Sequence, residues 1–235
     1  MGKHFRQHYY LDEALDEARD GTGLNRKDFL LQFAFPDNKK APGPSIRSGD
    51  FAEILVADYF EYVLNWRVPR TRYRAKAIPN ESVKGSDFLA FGLSTATDIK
   101  NEKYSPDDVL MCVEVKAQFT GSTTKSRLQD AINDSAKDHL RRAYTLNAMK
   151  QRLRLDNDQD GAAMVRRFQN PPDHPYKNQY TATAVYCDTA YDGTVAANVS
   201  VTDHPDNQNL HLLVIKGQQM MALVHRLYEV AAHEA

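Results

Sequence analysis

Glu114 and Lys116 are the first residues whose types and spacing suggest chemistry. They stand two apart in Val109–Ala117 (VLMCVEVKA), a run apolar enough for a central strand, so both side chains leave one face while Val113 and Val115 leave the other. A carboxylate and an ammonium in an apolar strand are expensive to bury alone and need partners or a metal ion. Asp87 opens a shorter strand pattern, 87–91, after Lys84-Gly85-Ser86, and meets Glu114 if the two strands are neighbours. Converging carboxylates repel each other, and a divalent cation removes the repulsion; oxygen ligands favour Mg²⁺ or Mn²⁺. Such an ion polarises a phosphate and acidifies a bound water, while Lys116 orients that water or stabilises the developing charge.

The elements that must position these groups follow from periodicity. From Asp50 to Leu64 the chain reads as a helix apolar on most sides, with Ser48-Gly49-Asp50 offering its N-cap. Glu53 is its odd residue: Ala57 and Phe60 share its stripe, so its carboxylate is expected to point inward, where it would hold metal-bound water or complete a second metal site. A long helix is predicted over 126–154, with Leu128, Ile132, Leu140, Ala143, Leu146 and Leu153 on its apolar stripe. Residues 92–108 and 155–179 read as irregular, 180–187 and 210–216 as strands, and 218–232 as a closing amphipathic helix. That order predicts an α/β three-layer sandwich with a central mixed sheet flanked by helices. Residues 1–45 are set apart as an N-terminal appendage: a polar first helix, then Phe29–Phe35 as either a strand or a short buried helix, then the breaker-rich 37–44. Residues 46–235 form the catalytic domain in this reading.

Ser86-Asp87, a gap, then Glu114-Val115-Lys116, with Glu53 upstream on a helix, resembles the PD-(D/E)xK nuclease superfamily. The resemblance implies a restriction-endonuclease-like fold and Mg²⁺-dependent cleavage of DNA. It also implies Asp87 and Glu114 as metal ligands assisted by the Val115 carbonyl, and Lys116 as the catalytic lysine. More narrowly, the chain is similar to the HamA effector family of Hachiman antiphage defence systems. The features that carry this are Arg47-Ser48-Gly49-Asp50 leading to Glu53, the Gly85-Ser86-Asp87 turn, and the Glu-Val-Lys strand followed by a helix with Ala131, Ser135 and His139. They span roughly 46–153. The sequence departs from the pattern at Val113, where a glycine is expected. This likeness implies a nuclease restrained by a helicase partner (HamB-like) and released on invasion by foreign DNA.

Other polar residues have two readings each. His139, on the apolar stripe, is expected as a half-buried core histidine or as an accessory to the site; Gln118, two past Lys116, is expected to touch substrate or lie on plain surface. Arg70, Arg72 and Arg74, interleaved with Trp66 and Tyr73, and Arg141 and Arg142 on the long helix, are candidates for tracking a phosphate backbone. A solvated, balanced surface competes with that, because the net charge is only −1. His174, His204 and His211 lack zinc-ligand spacing, and Cys112 and Cys187 read as small core residues of a reducing compartment. Absence of a membrane-length apolar run or signal peptide predicts a cytoplasmic protein. A non-catalytic binding subunit and a stand-alone restriction-type endonuclease remain as alternatives to a partner-controlled nuclease.

Overall fold

Among the described residues four strands form the sheet: β1 (Phe88–Gly92), β2 (Val109–Gln118), β3 (Lys177–Cys187) and β4 (Leu210–Gly217), hydrogen-bonded in the order β1-β2-β3-β4. The computed structural model describes residues 1–83 and 85–235, so Lys84 lies outside the described residues. β1 runs antiparallel to β2, and the other pairs are parallel, which makes the sheet mixed. In chain order the helices are α1 (Gly2–Gln7), α2 (Asp12–Arg19), α3 (Arg26–Phe29), α4 (Gly43–Asp58), α5 (Arg127–Ser135), α6 (Asp138–Leu155), α7 (Gln159–Arg167), α8 (Gly193–Ala197) and α9 (Met220–His233). A parallel partner needs a crossover, and α5 to α7 supply the one from β2 to β3.

Strand alternation sorts the side chains into two cores. Phe88, Ala90, Met111, Val113 and Val115 face α4 and α9, whereas Leu89, Phe91, Leu110, Cys112 and Tyr180 lie under α6 and α7. Further along, Ala182, Ala184 and Tyr186 pack beneath Leu128, Ala131 and Ile132 of α5. The result is the predicted α/β three-layer sandwich. Among the described residues no helix is long and apolar enough to cross a membrane.

Several boundaries differ from the sequence expectation. The helix carrying Glu53 starts at Gly43, with Pro44 in its first turn, and Ser48 is interior: its hydroxyl donates back to the Pro44 carbonyl at 3.0 Å instead of capping. The long helix is two, because Ala136 and Lys137 form a turn and Asp138 starts α6 with its carboxylate turned inward to Ser86. This break rotates Leu140 and Ala143 off the apolar stripe into solvent. Within 155–179, expected as loop, α7 forms behind the Asp158 side chain, which caps it by accepting from the Gly161 N–H at 2.7 Å.

Residues 1–45 do not stand apart from the core. Phe5, Tyr9, Leu15, Phe29, Leu30 and Phe35 are buried in the same cluster as Phe51, Val56, Val224 and Tyr228. The Arg6 guanidinium donates to the Ala231 carbonyl at 3.0 Å, and the Tyr9 and Tyr228 hydroxyls share a hydrogen bond. At about 1.5–3 kcal/mol per fully buried large apolar side chain, so many core members bind this segment firmly. Over residues 1–20 polarity hid this, since Phe5 and Leu15 stand singly among polar and charged neighbours. Phe29–Phe35 is helical, α3 running into a π turn over Leu30–Ala34.

Candidate active site

The strand register brings the two expected acids together. Phe88 pairs with Val113 across β1 and β2, so Asp87, one residue earlier, stands beside Glu114. Gly85 sits at φ +114°, a conformation suited to glycine, and turns the chain into Asp87. Asp87 Oδ2 accepts the Val115 N–H at 2.7 Å, and Oδ1 accepts from Arg72 Nη2 at 3.0 Å. Val115 therefore contributes its amide to the Asp87 carboxylate, and its side chain belongs to the opposite core.

Glu114 is 2% exposed, and Lys116 shares its face as the strand geometry requires. Burial, with the charges of Asp87 and Asp138, pushes the Glu114 carboxyl up to about 10. Lys116 Nζ lies 3.7 Å from Glu114 Oε2 and 2.6 Å from Asp134 Oδ2 on α5. Burial works against its charged form, but the Asp134 hydrogen bond and the neighbouring acids outweigh it and raise its pKa. Glu53 arrives from α4. Tyr73 Oη donates to its Oε2 at 2.6 Å and Arg72 Nε lies 3.2 Å from the same oxygen. Burial dominates there too; it prevails over the Arg72 charge and lifts Glu53 to about 8.

Glu53, Asp87, Glu114 and Lys116 line one open cleft of about 620 Å³, together with Asp134 and Arg141. Of two neighbours, Asp138 was not singled out in the sequence, and Arg72 was expected on a phosphate backbone rather than among the acids. Asp138 is fully buried, accepts from Ser86 Oγ at 2.8 Å, and is raised by burial to about 6. Arg72 lies between Glu53 and Asp87 and also donates to the carbonyls of Ser86 and Val83. For Asp138 a signal existed: Asp130, Asp134 and Asp138 recur every four residues in an otherwise basic stretch, which puts them in one stripe.

A divalent ion suits this donor set. Among the described residues, buried Glu114 Oε1 and Asp138 Oδ2 have no hydrogen-bond partner, an arrangement whose cost a hard cation removes. Asp87 already has a guanidinium and an amide on its two oxygens. Among the described residues, the one group of three side chains bringing ligand atoms within 4.8 Å of one another is His4, His8 and Asp58, so the cleft acids are more widely spread.

The remaining candidates fall elsewhere. Arg70 is paired with Asp58 and Glu61, Arg74 with Asp156, and Arg72 serves the acids just described, so none of the three is a free phosphate contact. Arg141 faces the cleft, 3.9 Å from Glu114 Oε1, whereas Arg142 donates to Asn178. Gln118 is buried and laces the following loop, bonding the Thr120 and Thr123 carbonyls and the Lys125 N–H. His139, expected half-buried on an apolar stripe, is exposed and bonds only the Ala136 carbonyl, because the turn before α6 swings it outward.

No curated protein matches the chain. The HamA family model matches residues 1–231 of the 235. That match takes in both the N-terminal helices and the cleft, and the chain belongs to the HamA family.

Proposed function

We propose that this chain is a metal-dependent nuclease that hydrolyses phosphodiester bonds of DNA, with its site in the cleft of Glu53, Asp87, Glu114 and Lys116. The observation that carries the reading is the pairing of Asp87 beside Glu114 with Lys116 on the same strand face, next to Glu114 Oε1 and Asp138 Oδ2, two buried carboxyl oxygens with no hydrogen-bond partner among the described residues. Asp87, Glu114 and Asp138 are the residues to hold Mg²⁺ or Mn²⁺, which when bound supplies polarisation of a phosphate oxygen and acidification of water. Val115 N–H and Arg72 fix the Asp87 carboxylate, and Ser86 fixes Asp138, so the acids are held before substrate arrives. Lys116, tethered by Asp134 at the cleft wall, is positioned to meet negative charge developing on a phosphate. Arg141 adds a second cation on that wall.

HamA membership supports a role in antiphage defence, and within that reading a helicase partner restrains the nuclease until foreign DNA is met. A second reading, a metal-free binding subunit of the same fold, draws on Arg72, which already partly neutralises Glu53 and Asp87. Cleavage of plasmid DNA by the full chain with Mg²⁺ or Mn²⁺ separates them. The nuclease reading expects nicking or degradation that disappears in Lys116→Ala and in Asp138→Asn while the folded circular dichroism spectrum persists. Equal behaviour of wild type and both variants in every metal would leave the binding subunit standing.

A further inference from the structure

A second cleft, of about 240 Å³, opens directly beside the first. Arg72, Val83, Gly85 and Asp87 line both, so the two are arms of one groove that bends around Asp87. The arms differ in chemistry. The arm described above holds the acids and Lys116; the new one is walled by Pro69, Thr71 and Phe88 on one side and by Tyr144, Met149 and Arg152 of α6 on the other.

Tyr144 is 82% exposed, and Leu140, one turn earlier on the same helix, is 69% exposed. An aromatic ring this free of packing is unusual on a helix whose inner residues, Leu146, Met149 and Leu153, are well buried, and it stands at the mouth of a cleft. Arg152, two turns further on, is half-buried in the same cleft. Burial disfavours its charge and Arg72 disfavours it further, and among the described residues no acid offsets either effect. A partly buried guanidinium with no acid partner among the described residues, two turns along the same cleft from an unpacked aromatic ring, suits a ligand that carries both an anion and a flat ring.

We propose that this arm is a subsite for one unpaired nucleotide adjoining the bond to be cut, its base stacked on Tyr144 and its phosphate paired with Arg152. The inference rests on the nuclease reading and narrows its substrate to single-stranded DNA or a frayed duplex end. A base inside a duplex has both faces covered by its neighbours and offers none to Tyr144, whereas an unpaired base does.

The test uses the full chain carrying Lys116→Ala, which leaves Tyr144 and Arg152 in place, and a 2-aminopurine-labelled oligonucleotide in Ca²⁺. Single-stranded probe should bind with fluorescence quenched by stacking, and its fully paired duplex should bind more weakly. Adding Tyr144→Ala should weaken single-strand binding about ten- to a hundredfold and abolish the quench, Tyr144→Phe should restore both, and Arg152→Gln should weaken binding and flatten its salt dependence. Because Tyr144 and Arg152 belong to no packed core cluster, the folded spectrum should survive each change. Equal affinity for single strand and duplex, or a Tyr144→Ala variant that binds and quenches like its parent, overturns the subsite while leaving the nuclease reading intact. Failure of every DNA form to bind, with no cleavage by the wild type, overturns both. Loss of association with a protein partner at unchanged DNA binding would assign Tyr144 to a protein interface and also overturn the proposal.

Discussion

Replacing Glu114 with glutamine should stabilise the metal-free protein at alkaline pH while destroying its activity. In the folded chain Glu114 is pushed to about 10, so at pH 8 it keeps a proton that an unfolded glutamate, near 4.5, has released. A raised folded value means that Glu114's contribution to stability is complete below pH 4.5 and is lost as the pH climbs toward 10. From 4.5 to 8 is about 3.5 pH units, and at about 1.4 kcal/mol each the ceiling on the cost is about 5 kcal/mol. Glutamine is neutral in both states, fills nearly the same volume and donates from its amide toward Asp138, so it escapes this cost. For a chain of this length each kcal/mol moves the melting temperature by about 2–4 °C. Calorimetry in a chelator at pH 8 should therefore show Glu114→Gln melting several degrees above wild type, and the gap should shrink to about a degree or two at pH 5. Added Mn²⁺ should raise the wild type and leave the variant nearly unmoved, because an ion that binds only the folded chain stabilises it in proportion to affinity. A variant no more stable than wild type at pH 8, or an equal gap at both pH values, would refute the argument that burial and neighbouring acids dominate Glu114.

Arg72→Ala should lower unfolding stability by about 3–5 kcal/mol in urea, since it strands Glu53 and Asp87 as buried acids without their shared cation. Arg167→Ala should cost about as much: its fully buried guanidinium holds Asp108 at 2.9 Å and the carbonyls of Ser105, His174 and Pro175, far from the cleft, so cleavage by the surviving folded fraction should be unchanged. His8 is lowered to about 3 by burial and by Arg70, so its neutral form is the folded one. The unfolded chain takes the proton first, and stability is full above pH 6.5 and falls as the pH drops toward 3; His8→Gln should move the acid unfolding midpoint to lower pH.

The convergence of Glu114, Lys116 and Asp87 was legible because a two-residue period is rigid. Once Val109–Gln118 is a strand, Glu114 and Lys116 must share a face, and neighbouring antiparallel strands then bring Asp87 alongside. Glu53 was legible for a similar reason, as a lone acid on a helical stripe of Ala57 and Phe60. Arg72 was not. Its flanking arginines and aromatics look like a phosphate-binding segment, and only the path of residues 66–76 under α4 turns its guanidinium into the site. The break before α6 was equally hidden, because two turn residues barely disturb the apolar period, yet it decides that Asp138 is buried while His139 and Leu140 are exposed. The depth of residues 1–45 was missed because their core contacts are to α4 and α9, separations that local pattern does not encode.

The meeting of α1 with α9 sets a condition on biosynthesis. Tyr9 donates to Asp50 on the helix of Glu53, at 2.7 Å, and its hydroxyl is also bonded to Tyr228. The layer that backs the cleft is thus sealed by elements 219 residues apart in sequence. A nascent chain emerging from the ribosome lacks α9 until the four strands and the other eight α-helices among the described residues have been made, so this layer closes after them. Until α9 arrives the helix that carries Glu53 lacks part of its backing, and removing α1 or α9 would be expected to loosen the platform on which Glu53 stands.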